Sequence, residues 1–396
     1  MAVEFGTIDP SAMFVSATQL QQQMESIANT ALSVGIDHFQ NKRYSQAAEA
    51  FGRSIALSPT SPYATQAADY QANAYMKLGR TDKAVESYKK AIQLNPQNDA
   101  SMVKLGHLFF SEKRYKEAQA IYKRAVELNP DSTNRYSLGQ AYLATEDFNR
   151  AETEFNAVQR LIPNEPNGYF GLGQAYAKQG RYDQAIENFN QAIRKDSDFY
   201  NAHLELGMTY ADMGKIDEAT EQFDILKEKD EALADQLSRY IYTKENPKIM
   251  FASSQGSFRY TLPMRTSLVA LDSYLANADA KKSFTMVFQF DKELSRESVE
   301  NIYNWGIKRS DKPGSGSYNF GLGIPSTEAK LPLHPYNVYY DAKNYTATLR
   351  FTLTQNEEGN GTIDPSHVLF QFKGEDAFGN AMNPKHDEFL GFSKVV

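Results

Sequence analysis

The sequence predicts a multidomain α + β chain: an N-terminal α-solenoid of helical hairpins, followed by an all-β sandwich. Three observations predict it. A degenerate pattern of about 34 residues recurs six times between residues 28 and 233. Beyond Asn246-Pro247 the apolar spacing changes to strict alternation, the mark of half-buried strands. Turn pairs such as Phe378-Gly379-Asn380 then punctuate short runs, as in a sandwich.

The repeat is carried by four columns. Gly35, Ala72, Gly106, Gly139, Gly173 and Gly207 form the first. His38, Tyr75, Phe109, Tyr142, Tyr176 and Tyr210 follow three positions later. Next comes an unbroken column of alanine: Ala47, Ala84, Ala118, Ala151, Ala185 and Ala219. Phe51, Tyr88, Tyr122, Phe155, Phe189 and Phe223 complete the set. Small residues let two helix backbones approach closely, and the rings fill the remaining space, each burying about 150–250 Å². Pro59, Pro96, Pro130 and Pro163 close the first four copies, because proline cannot continue a helix. Gly79, Gly180 and Gly214 stand between the two helices of their copies, where a left-handed cap is expected.

These columns resemble the tetratricopeptide repeat (TPR) family. The resemblance implies a solenoid over residues 28–245, of six repeats and a closing helix from Ala234 to Glu245 with Leu237, Tyr240 and Ile241 on one face. Residues 1–27 are expected to be a mobile tail leading into a short helix from about Ser16. That glutamine-rich start is similar to those of proteins exported through flagellar-type machines.

In the second half, Phe258–Leu262, Ser283–Phe290, Val338–Tyr340, Ala347–Leu353 and Val368–Phe372 read as strands. The even positions from Phe284 to Phe290, with Leu349 and Phe351, are expected to face a core. Residues 246–282 read as a linker with the first strand or strands, and 283–396 as the sandwich. Phe288-x-Phe290-Asp291-Lys292-x-Leu294, Asn304-Trp305-x-Ile307, Tyr340-Asp341-Ala342 and Asp376-Ala377-Phe378-Gly379-Asn380 resemble a bacterial Ig-like domain of the surface-layer type. The stretch Ser310–Pro335 is longer than that pattern. Trp305 is expected to anchor the core.

Composition excludes several functions. The net charge is −7 and hydrophobic residues make up 41%. No block is basic, so nucleic acid is not an expected partner. No stretch approaches 18 apolar residues, so no transmembrane segment is expected. Met1–Gln23 lacks the basic start and apolar run of a Sec signal peptide, so a cytoplasmic protein is expected, with export by a non-Sec route or surface association as the alternative. Cysteine is absent, so disulfides and thiolate zinc sites are excluded. The six histidines show no metal-ligand spacing, and no catalytic elbow or P-loop is present. Gly314-Ser315-Gly316-Ser317 reads as a surface loop. Asn356–Asp364 reads as a hairpin turn, although its oxygen-bearing residues are of a kind calcium uses. No cofactor and no enzymatic activity are expected.

The groove remains. In the resembled family the first helix of each copy lines the concave face. Carried over by column, one row is Ile36, Asn73, His107, Gln140, Gln174 and Met208. A second is Asn29, Gln66, Ala100, Thr133, Asn167 and Asn201, and a third is Leu32, Asp69, Val103, Tyr136, Phe170 and Leu204. Side-chain amides donate and accept, so the first two rows can pair with the backbone of an extended peptide. The third row is expected to offer pockets. Apart from Lys104 these positions are not basic, which argues against a receptor gripping a C-terminal carboxylate. The expected role is a non-enzymatic scaffold for a protein or peptide partner, with the β-domain as a second docking module. The alternative is a structural or surface-associated component, and self-association through the solenoid is possible in either case.

Overall fold

The computed structural model describes residues 10–254, 256–312 and 316–391, with side chains from Thr18 onward. The first part of the expected tail, and Pro313–Ser315 of the expected loop, lie outside the described residues. The chain divides into two compact units: residues up to Thr209 with Glu221–Ala234, and Tyr210–Thr220 with Asp235 onward.

Among the described residues, thirteen helices precede the first strand: α1 (Pro10–Gln40), α2 (Tyr44–Leu57), α3 (Ala64–Lys77), α4 (Thr81–Leu94), α5 (Asp99–Ser111), α6 (Tyr115–Leu128), α7 (Ser132–Ala144), α8 (Phe148–Leu161), α9 (Asn167–Lys178), α10 (Tyr182–Lys195), α11 (Tyr200–Asp212), α12 (Ile216–Lys229) and α13 (Glu231–Lys244). They alternate as hairpins in the expected register. Instead of a short helix from Ser16 joined to the first copy, α1 is one helix of 31 residues. Pro10 suits a helix's first position, and no proline follows before Gln40.

The columns pack as their chemistry requires. All six alanines, from Ala47 to Ala219, are fully buried. A Cβ added at Gly35 or Gly139 would lie 2.6 Å from the ring of Phe51 or Phe155, and one at Gly173 would lie 2.5 Å from that of Phe189. Gly79, Gly180 and Gly214 adopt φ of 67°, 71° and 72°. Lys42, Lys113 and Glu146 hold the same turn at φ of 58°, 59° and 61°. The first helices of neighbouring hairpins touch (α1 with α3, α5 with α7, α7 with α9) more closely than the second helices do. The first helices therefore form the inner face of the stack.

The described residues of the second unit form nine strands: β1 (Ile249–Ser253), β2 (Thr266–Ser267), β3 (Lys281–Phe290), β4 (Trp305–Arg309), β5 (Asn337–Asp341), β6 (Thr346–Thr354), β7 (Thr362–Ile363), β8 (Val368–Phe372) and β9 (Glu388–Leu390). One antiparallel sheet has the order β1-β3-β6-β5 and a second the order β4-β8-β9, while β2 pairs with β7. Phe284, Met286, Phe288, Phe290, Leu349 and Phe351 are buried, as alternation requires. Rings of the two larger sheets meet in one core: Phe288 lies 5.6 Å from Phe370, and Phe351 5.5 Å from Phe370. Trp305 is buried among them, and its indole N–H donates to the Val299 carbonyl at 2.8 Å.

One expected strand is absent. Phe258–Leu262 forms turns. Phe258 is a fully buried plug against Phe284, Phe351 and Phe370, and the Ser257 hydroxyl accepts from the β3 backbone N–H of Thr285 at 2.7 Å. A side chain thus takes the bond that a strand neighbour would have made. After β6, Gln355 is buried at the centre of the turn. Its amide donates to the carbonyls of Leu275 and Gly359 and accepts from the N–H of Asn356 and Gly361. A carboxamide fills the middle of that loop, where the calcium reading would need a cation.

Candidate functional site

The inner face is best read from its hydrogen bonds. Gln140 on α7 donates to the Tyr136 hydroxyl at 3.1 Å and to Oε1 of Gln174 on α9 at 3.0 Å. Gln174 donates in turn to Oε1 of Glu205 on α11 at 3.0 Å. One polar residue per hairpin is thereby joined into a ladder across three repeats. Both amide hydrogens of Gln140 are used, and no group among the described residues donates to its carbonyl oxygen. Burial raises the Tyr136 phenol above its ordinary value, so it stays a neutral partner for the ladder.

Beside this ladder is a cavity of about 450 Å³, lined by Phe110, Tyr115, Gln140, Leu143, Phe148 and Gln174, together with Ala144, Glu146 and Lys178. Phe110 and Tyr115 meet edge-on at 5.1 Å. The volume lies within the range of about 300–1,000 Å³ found for small binding pockets. A mixed wall of three rings, two amides and the charged Glu146 and Lys178 is suited to a side chain whose backbone also needs a partner.

The remaining expected groove residues divide into three groups. Asn29, Asn73, Val103 and Tyr136 are half-buried, and Gln66, His107, Asn167 and Asn201 are exposed. Asn73 accepts from the Tyr88 hydroxyl at 2.7 Å, and burial, then the Asp69 charge, push that phenol up to about 12. The His107 ring lies edge-on to Tyr122.

Four members of the expected pocket row, Leu32, Asp69, Phe170 and Leu204, are core instead. Phe170 is buried between Phe189 and Phe199, and Leu204 is also buried. Asp69 is buried and committed: it accepts from Ser101 Oγ at 2.9 Å and pairs with Lys104 at 2.5 Å. The column analogy places these positions on the correct helices, but tight packing between hairpins turns their side chains inward.

Models of the tetratricopeptide repeat match residues 34–99, 75–137, 109–172 and 173–214. The N-terminal region is built of tetratricopeptide repeats. Small glutamine-rich tetratricopeptide repeat-containing protein 2 of Mycosarcoma maydis is 33% identical over 99 residues, which is 24% of this chain and 25% of that protein. Anaphase-promoting complex subunit 3 of Schizosaccharomyces pombe is 25% identical over 137 residues, or 34% of this chain and 20% of that protein. The chain thus spans a quarter or less of the length of these relatives. A tetratricopeptide repeat protein from Parabacteroides merdae superposes with a TM-score of 0.50 at 17% identity, covering 55% of this chain and 86% of that one, which is a likeness of fold.

Within the repeats, Gln140 and Gln174 came from the groove columns, but the cavity's rings, Phe110, Tyr115 and Phe148, were missed by them. A signal was present. Tyr44, Tyr115, Phe148 and Tyr182 recur as the first residue of a second helix. Two of them line the cavity, yet this column belongs to the second helices, which the groove reading set aside.

Proposed function

We propose that this protein is a non-enzymatic interaction scaffold whose tetratricopeptide repeats take an extended segment of a partner protein along the inner face. The observation that carries this reading is the Gln140–Gln174 rung beside the aromatic cavity. The Gln140 carbonyl oxygen would accept a peptide N–H, and Phe110, Tyr115 and Phe148 would enclose an apolar side chain of the partner. Asn29, Gln66, Asn73, Val103, His107, Tyr136, Asn167 and Asn201 would extend the track on either side.

The sheet region would serve as a second docking module of Ig-like type. Its order β1-β3-β6-β5 with β4-β8-β9 supports that reading. Numbering the seven strands A to G gives ABED and CFG, the constant-type arrangement, with buried Trp305 at the start of strand C. Among the described residues no helix is long and apolar enough to cross a membrane.

The test is selection of peptides from a random displayed library against the full chain, followed by calorimetric titration. Gln140→Ala/Gln174→Ala and Phe148→Ala should each weaken a selected peptide by about tenfold or more, or about 1.4 kcal/mol. Undiminished binding by both variants would remove the inner face from the account.

A further inference from the structure

The longest helix of the repeats has two apolar faces, and the hairpin uses only one. Ala28 and Leu32 are buried in the first hairpin, and Gly35 lies against Phe51 of α2. One residue earlier at each step, about 100° round the helix, runs a second row. Leu20, Met24, Ile27 and Val34 are 59%, 39%, 53% and 40% exposed, with half-buried Ala31 between the last two. Their spacing is four, three, four, three. In the sequence the same alternation extends back to Ala17 and Met13.

That spacing is a heptad repeat, and its period of 3.5 residues is the one that keeps a seam facing a partner helix. From Leu20 to Val34 the seam is about 21 Å long. Packing among the described residues does not account for it. Among the described residues, no side chain from Thr18 to Ile27 is buried. Helical segments hold their shape in water mainly through packing of an apolar face, and an exposed row of large apolar side chains on an ordered helix marks an interaction surface.

We propose that α1 pairs with α1 of a second copy of this chain, as a two-stranded coiled coil along Leu20, Met24, Ile27, Ala31 and Val34. The residues flanking the seam select this occupant. Gln21, Gln23, Ala28 and Thr30 border it and none is charged, so identical helices meet without like charges opposed. A membrane surface is the poorer fit. It would require a basic polar face, whereas the first lysine or arginine of the chain is Lys42. The pairing is independent of the peptide reading above, because it uses a different face of α1.

The full chain should sediment as a dimer at micromolar concentration. Leu20→Lys/Ile27→Lys should raise the dimer dissociation constant by roughly a hundredfold or more. Its thermal unfolding, read at a concentration where both proteins are monomers, should be unchanged, because both positions are exposed. The chain has no cysteine, which permits a direct second measurement. Leu20→Cys/Ile27→Cys should cross-link between copies on oxidation, and Gln19→Cys/Ser26→Cys, on the outer side of the helix, should not. A wild-type monomer at all concentrations, a dimer indifferent to the lysine pair, or equal cross-linking by the two cysteine pairs would each overturn the proposal.

Discussion

Lys292 Nζ lies 2.7 Å from Asp376 Oδ2, and both side chains are almost wholly shielded from solvent. The same ammonium donates to the Tyr242 and Glu245 carbonyls at the end of α13, at 2.6 and 2.8 Å. Asn380 adds a bond to the Thr243 carbonyl, and the Lys292 ammonium sits over the Tyr242 and Phe378 rings. The orphan carbonyls of a helix end are thus satisfied by a buried cation that the sheet region supplies, where charge and helix dipole agree. The end of α13 accordingly belongs to the same compact unit as the strands.

Removing one partner of this pair leaves the other buried and uncompensated. Lys292→Met is expected to destabilise the sheet unit by about 3–5 kcal/mol. Urea unfolding followed by fluorescence of the single tryptophan, Trp305, reads that unit alone. A loss below 1 kcal/mol would show that water compensates Asp376.

The pair also sets an acid dependence. Burial by itself raises the Asp376 carboxyl, but Lys292, the Asn380 side chain and the N–H groups of Asn380 and Phe378 outweigh it and hold the group below its ordinary value. A depressed carboxyl contributes stability that is fully present above its unfolded value of about 3.9 and is lost as pH falls through the folded one. Wild type should therefore lose its advantage over Asp376→Asn as pH drops below about 4. Burial raises Glu328, Asp291 and Asp387, which act in the opposite direction, so the difference between the two proteins is the quantity to measure. A constant difference from pH 7 to 3 would count against the assignment.

In the repeats, Gly173→Ala tests the close approach. The new Cβ would lie 2.5 Å from the Phe189 ring, which is fully buried and has no room to retreat. A cost of about 1–3 kcal/mol is expected from overpacking, measured by helical circular dichroism in urea.

Gly180→Ala tests the backbone separately from packing. Nothing lies within 4 Å of a Cβ there, yet φ is 71°. The expected cost is about 1 kcal/mol, from left-handed strain alone. The reverse change, Lys113→Gly, should not destabilise, since Lys113 already carries that strain at φ 59°. A large loss in Lys113→Gly would contradict the common turn.

Phe258→Ala should cost about 3–5 kcal/mol, because a fully buried ring would leave a cavity among Phe284, Phe351 and Phe370. A surface-strand residue at that position would cost far less, so tryptophan-monitored unfolding distinguishes the two placements.

By itself the sequence determined the hairpins, their register and the alternation of β3 and β6, because each follows from a local steric rule applied at fixed spacing. Glycine or alanine opposite a ring produces close helix packing wherever it recurs, and alternation names a strand's buried face. Only the tertiary structure decided which inner-face residues remain available. Asp69 turns to Ser101 and Lys104, and Phe170 to Phe189 and Phe199, through contacts between hairpins that column position does not record. The same holds for Phe258, whose apolar run looks like a strand but serves as a plug, and for Lys292, whose partners come from the end of α13 and the turn at Asp376. Spacing along the chain encodes local geometry, whereas the pairing of a buried charge or a ring with its partner is settled by how distant segments compete for the same space.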